Sequence, residues 1–337
     1  MDHPIQTLSP FHAVEEMPLA APVATVGLDP AIRGTLYCIA AALLYTGANI
    51  CLRVLAVRGD PIWVVFLKES MAVLIVGPWL VYRACRGQRV LPQRHVLVVL
   101  VLVGLATELI GNIGTLWAMG IIGLAVNIPV VVGLTLISAA LMGRLVLGER
   151  ISPRSVLAVA MLVVAVVLLS LNAGRANQSI AAQATVASGP FWVALAVLVT
   201  CVAGVVFGAL SITIRWSMTR GVSPLVLVVA ITSMGTLTLG PLSYGRLGWA
   251  GMAATPGADV AVAVLCGLLN LAAFTALSKG LQQTTVVHAN VVNASQTAMA
   301  AVAGMLLFAE PLSGALVGGV LLTMAGVVLI DRPVRAT

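Results

Sequence analysis

Apolar runs of about 20 residues recur along almost the whole chain, and each is long enough to cross the hydrocarbon core of a bilayer as one helix. That single feature leaves few folds open. Hydrophobic residues make up 60% of the sequence and charged residues only 9%. A soluble domain carries roughly 25% charged residues, so a water-soluble fold of this size could not cover its surface. A transmembrane β-barrel would show segments of about 10 residues with alternating polarity, and the runs do not alternate. The chain therefore reads as an all-α polytopic membrane protein, with the lipid bilayer as its first partner.

Ten spans are predicted, at 34–57, 61–82, 95–119, 122–147, 153–172, 190–216, 222–244, 259–280, 284–308 and 312–331. Turn and cap residues separate them: Gly59-Asp60 before Pro61, Ser152 before Pro153, Ser223 before Pro224. Residues 1–33, with Pro4, Pro10, Pro18, Pro22 and Pro30, read as a disordered tail. They lack the basic start and apolar centre of a signal peptide. Residues 332–337 form a second tail.

The net charge of +7 does not point to nucleic acid in such a chain. Lys and Arg collect in cytoplasmic loops. With the N-terminus inside, thirteen of the eighteen fall on the cytoplasmic side. Four, Arg53, Arg58, Arg175 and Arg246, fall on the other, and Lys68 lies within a span. This predicts the cytoplasmic membrane with both termini inside. Cys38, Cys51, Cys85, Cys201 and Cys266 are scattered, so neither a metal site nor a disulfide framework is expected, and no cofactor is implied.

The two halves repeat. Residues 48–59 (ANICLRVLAVRG) align with 210–221 (LSITIRWSMTRG), which sets Arg53 against Arg215 and Arg58 against Arg220. Residues 147–152 (LGERIS) align with 308–313 (FAEPLS), which sets Glu149 against Glu310. The first repeat covers 34–172, an extracytoplasmic linker 173–189, and the second repeat 190–331. Five spans is an odd number, so the second copy enters from the opposite side. Inverted repeats of this kind build secondary transporters that bind substrate near the midplane between the copies.

Thr46-Gly47-Ala48-Asn49, Lys68 seven residues after Pro61, and Gly148-Glu149-Arg150-Ile151-Ser152 with its echo Ala309-Glu310-Pro311-Leu312-Ser313 carry a family resemblance. Over residues 34–331 the chain resembles the drug/metabolite transporter superfamily, EamA type. It departs from the family pattern at Thr46, where Trp is usual, and at Leu136 and Thr297, where proline is usual. The resemblance implies ten helices and a small-molecule cargo. The family's cargoes include amino acids, sugars, nucleotide sugars and organic cations.

Ionisable residues inside a span cost roughly 2.5–3.5 kcal/mol each at the centre and mark function by default. Glu108 lies mid-span with Asn112 and Thr115 on its face. It is read as a substrate ligand or a proton carrier. Lys68 and Glu69 are neighbours about 100° apart on one helix, so no simple pair within that helix is expected. Lys68 is close enough to the interface to snorkel, and Glu69 or Glu108 is expected to partner Lys68 or Arg53. Tyr45 and Asn49 share a face of the first span. Asn290, Asn293 and Thr297 share one of the ninth, beside Gln296. These amides suit a cavity wall, and they suit equally the polar glue between membrane helices. His288 joins Glu108 as a candidate for proton coupling, and Asn270 is a further mid-span amide. Glu149 and Glu310 precede the fifth and tenth spans, where an acid favours the positive end of the helix dipole. Those two spans are almost wholly apolar and are expected outside any cavity, with Gly314, Gly318 and Gly319 suited to close packing or a homodimer contact.

The expected function is therefore alternating-access transport of a small polar metabolite, amino acid-like because the spans hold both charge signs. Tyr45, Asn49, Lys68, Glu69, Glu108, Asn112, Asn293 and Gln296 form the expected substrate site. No phosphate loop, HExxH or GxSxG occurs, so no enzyme is expected. A scaffold or sensor, or a lipid-modifying membrane enzyme, remains the alternative.

Overall fold

The computed structural model describes residues 30–88, 91–147, 153–283 and 286–329. The N-terminal tail up to residue 29, Glu149, Arg150, Ser152 and the C-terminal tail lie outside them, and residues 30–33, expected in the disordered tail, instead open the first helix. Ten helices fill the described residues: α1 Pro30–Ala56, α2 Pro61–Cys85, α3 Arg94–Ile122, α4 Leu124–Leu147, α5 Pro153–Ala181, α6 Pro190–Met218, α7 Pro224–Ala253, α8 Gly257–Gln283, α9 Val286–Phe308 and α10 Gly314–Leu329. The first eight each contain a stretch long and apolar enough to cross a membrane, and the apolar stretches of α9 (Ser295–Phe308) and α10 (Gly314–Leu329) are shorter. Below, the near side is the one on which α1 begins.

Local chemistry starts and stops the helices. The Asp60 carboxylate accepts from Ile62 N at 3.0 Å and Trp63 N at 3.2 Å, and Pro61 fills the first helical position. Its counterpart in the second half is Ser223, accepting from Val226 N at 3.4 Å ahead of Pro224. Gly123, with φ +80, breaks the chain between α3 and α4. Ser313 caps α10 at Leu316 N and donates to Asn172 Oδ1 of α5 at 2.7 Å.

Two features depart from the expected span edges. Helix α5 runs to Ala181, nine residues beyond its expected end at 172 and half-way through the expected linker, held there by Asn177. That side chain donates to the backbone of Ile121 at 3.1 Å and Ala187 at 3.0 Å. Helix α7 likewise runs on to Ala253, through a break at Gly248 with φ +63.

The packing repeats as the sequence does. Helices α1 and α8 are closely packed, and so are their counterparts α6 and α3. Helix α4 packs on α6 as α9 packs on α1. The pairs α2 with α7, α5 with α10 and α4 with α9 are their own counterparts. The same packing scheme thus recurs in two five-helix units. Small residues allow the close approaches. A Cβ built at Gly326 would stand 2.9 Å from Leu162, and one at Gly319 2.6 Å from Leu169, so α5 and α10 lie against each other. Large apolar side chains such as Leu74, Leu102, Leu171 and Leu306 point outward, the arrangement of a protein whose solvent is lipid.

Candidate functional site: a polar cavity between the two halves

Helix α3 is not α-helical throughout. Residues Thr107–Asn112 form a π-helical segment, a feature that often marks functional positions. The wider turn sets Asn112 over Glu108, and Asn112 Nδ2 donates to Glu108 Oε2 at 2.9 Å. Gly111 lets the ring of Phe207 on α6 approach to 3.2 Å of where a Cβ would stand. On the other side Gly235 of α7 leaves room for the carboxylate, since a Cβ there would lie 2.9 Å from Glu108 Oε2. Glu108 is 1% exposed.

Asn112 is the hub. Its Oδ1 accepts from Lys68 Nζ at 3.0 Å, and its Nδ2 also lies 3.3 Å from Glu69 Oε1. Lys68 and Glu69 do pair, Nζ to Oε1 at 2.7 Å, contrary to the expectation from their angular separation. The reason is that one amide from α3 offers an acceptor to the ammonium and a donor to the carboxylate. It draws both long side chains to the same side of α2. Lys68 does not snorkel either: it is 6% exposed and held by these two partners. Two carboxylates and one ammonium thus share a buried network, a composition one positive charge short of neutrality if both acids are ionised.

Two adjoining cavities open on this network. The larger, about 370 Å³, is lined by Tyr45, Asn49, Lys68, Asn112, Asn293 and Gln296, together with Thr115, Ser211, Asn270 and an apolar wall from Leu52, Ile128, Val131 and Leu136. The smaller, about 240 Å³, is lined by Lys68, Glu69, Glu108, Thr107, Thr232 and Phe274, and shares Tyr45, Lys68, Asn112, Phe207 and Asn270 with the first. All eight residues of the expected substrate site line one or both. Their walls come from α1 to α4 and α6 to α9, and α5 and α10 contribute nothing. Thr115 Oγ1 and Asn293 Oδ1 are buried with no hydrogen-bond partner among the described residues. A volume of a few hundred Å³ with an apolar wall and a few convergent polar groups is the ordinary form of a small-molecule site.

The sequence reading missed Phe207, Ser211, Thr232 and Gly235. The first three look like ordinary residues of apolar helices, and a lone glycine gives no hint of what fills the space it leaves. Asn290 and His288 lie on α9, but their side chains are outside the described residues. Thr297 is fully buried, has no hydrogen-bond partner among the described residues and does not line the cavity.

Arg53 and Glu310 correct two further expectations. Arg53 pairs with neither Glu69 nor Glu108. Its Nε donates to Glu310 Oε1 at 3.0 Å, with both residues 4% exposed. Glu310 does not serve its own helix α10. Its Oε1 accepts from Leu124 N and its Oε2 from Ala125 N, both at 2.8 Å, so it caps α4. The acid does sit at the positive end of a helix dipole, but of a helix in the other half, because Glu310 N turns back to Gly304 O at 3.1 Å and aims the side chain inward. Among the described residues no three His, Cys, Asp or Glu come together as metal ligands.

The sequence profile of the EamA-like transporter family matches residues 32–171 and 194–331, one match to each half. The chain belongs to the EamA-like transporter family. It is a multi-pass membrane protein of a family that carries small molecules. No curated protein matches the chain. A solved structure described only as "Crystal structure of protein" is similar over 88% of this chain and 96% of its own, with a TM-score of 0.55 and 17% identity, which speaks for the fold alone.

Proposed function

We propose that this EamA-like protein is a secondary transporter or facilitator that moves a small polar, amino acid-like metabolite across the cytoplasmic membrane by alternating access. Both termini are cytoplasmic in this reading, from the thirteen-to-four distribution of Lys and Arg. The observation that carries it is the cavity walled by both halves, with the Lys68–Glu69–Asn112–Glu108 network at one end and amide and hydroxyl side chains along its length.

The chemistry of that wall suits an amphoteric solute. Glu69 and Glu108 accept from an ammonium group, Lys68 attracts a carboxylate, and Asn49, Asn293 and Gln296 orient the polar remainder. The apolar wall of Ile128, Val131 and Leu136 receives a short side chain. A scaffold or sensor would be served better by an interior whose polar groups are all satisfied, whereas Thr115 Oγ1 and Asn293 Oδ1 have no partner among the described residues.

Glu108 also suits proton coupling. An ion pair with an extra buried carboxylate is costly without a compensating positive charge. A proton or a substrate ammonium supplies it, so the two would compete for Glu108.

The reading is tested by thermal unfolding of the purified protein against amino acids, sugars, nucleosides and amines. A ligand that binds the folded state raises the melting temperature. Stabilisation by amino acids, lost in Asn49→Ala, is expected. Stabilisation confined to sugars or nucleosides contradicts it.

A further inference from the structure

A separate pocket lies on the far side, about 330 Å³ in volume, and shares no lining residue with the two central cavities. Its walls include Arg53, Val57, Arg58, Gln183 and Phe308. The two compartments meet at neighbouring residues of α1, because Leu52 lines the central cavity and Arg53 the far one.

Arg53 is unusual in how it is used. A guanidinium offers five N–H donors. Here Nε serves Glu310, and the Nη groups make no hydrogen bond to any described residue although the side chain is 5% exposed. The ring of Phe308 covers one face, 5.1 Å from the guanidinium carbon. Glu310 cannot turn to serve the idle donors, since both of its oxygens are held by Leu124 N and Ala125 N. Its surroundings are closed as well: a Cβ at Gly123 would stand 2.5 Å from the carboxylate, and one at Gly304 2.6 Å. The Nη edge is left facing the pocket.

The Nη donors open onto the pocket, and a guanidinium edge matches a carboxylate in two parallel charge-assisted bonds. Arg58 adds a second positive group at the mouth. Its side chain is 63% exposed and its contact with Asp259 is loose at 3.8 Å. The acids nearby, Glu310 and Asp259, already have cationic partners.

We infer that the far-side pocket is a binding site for the carboxylate of a small solute, held on the Nη edge of Arg53 and drawn in by Arg58. As a binding site it stands apart from the central cavity. As a docking place for substrate on its way in or out, it rests on the amino acid-like reading above.

The test is thermal unfolding of the full chain in detergent, titrated with sodium benzoate against sodium chloride of equal ionic strength and against neutral benzamide. A saturable stabilisation by benzoate alone is expected, weakened about tenfold in Arg58→Ala and lost in Arg53→Lys, which keeps the charge but not the fork. Should Arg53→Lys fail to fold, Arg58→Ala, at an exposed position, decides the matter. Equal benzoate stabilisation in wild type and Arg58→Ala overturns the inference. So does inorganic phosphate acting in place of benzoate, which indicates a lipid headgroup. Loss of the benzoate effect in Glu108→Gln also overturns it, by placing the probe in the central cavity. Amino acids failing to stabilise while benzoate succeeds would sink the transport reading and leave this site standing.

Discussion

Lys68 of α2 donates to Asn112 of α3 at 3.0 Å, and through that amide an ammonium and two carboxylates from different helices become one network. Asn112 is suited to this because an amide is donor and acceptor at once. Neither Leu nor Asp could satisfy both signs of charge. The network stands where the two cavities join, so a solute there meets positive and negative groups within one side-chain length.

The first prediction concerns that hub. Asn112→Leu leaves Glu108 without its donor and Lys68 without its second acceptor. Losing such bonds costs about 1–3 kcal/mol for a buried group. Solute affinity, measured by stabilisation titration, is expected to fall tenfold or more by order of magnitude. Wild-type affinity in this variant would show that Asn112 does not shape the site.

Gly235 makes a sharper test, because it touches no solute in this account. Gly235→Ala places a methyl 2.9 Å from Glu108 Oε2, whereas Gly245→Ala, on the same helix, meets nothing within 4 Å. Overpacking costs about 1–3 kcal/mol. Gly235→Ala should lower both melting temperature and transport, and Gly245→Ala neither. Equal behaviour of the two variants contradicts the placement of the carboxylate.

The Arg53–Glu310 pair joins α1 to the turn before α10 and to the first turn of α4. Removing one partner of a buried pair costs about 3–5 kcal/mol, because the other is left uncompensated. Glu310→Ala should therefore lower the melting temperature strongly. Glu149 holds the matching place in the first half but lies outside the described residues, so the prediction is made for Glu310 alone. A melting temperature within a degree or two of wild type would refute the structural role.

Orientation can be read from a native thiol. Cys85, at the near-side end of α2, is exposed, while Cys38, Cys51 and Cys266 are buried. With both termini in the cytoplasm, a membrane-impermeant maleimide should label Cys85 in inside-out vesicles and spare it in right-side-out ones. The opposite pattern reverses the topology.

The sequence disclosed the fold well, and for a physical reason: lipid demands whole helices of bilayer length, so their number is written in the apolar runs, though not the extensions of α5 and α7 beyond them. The repeat was legible at Arg53, Arg215, Glu149 and Glu310. What those residues touch was not legible. Position along a helix says where Glu310 is, but only the turn at Ala309, with φ +50, decides that it caps α4 rather than α10. The same limit applied within the cavity. A 100° separation argued against a Lys68–Glu69 pair, because a helical wheel cannot show an amide on a neighbouring helix. The π-helical turn at Thr107–Asn112 and the gap at Gly235 have no sequence periodicity to announce them.

Flux measured in proteoliposomes tests the central claim most directly, using the solute that stabilises the protein best. Wild type should accumulate it, and an imposed pH gradient should change the rate. Asn49→Ala should weaken transport, and Glu108→Gln should abolish the response to the gradient. Wild-type rates in both variants would contradict the account of the cavity, and a wild-type rate indifferent to the gradient would remove proton coupling from it.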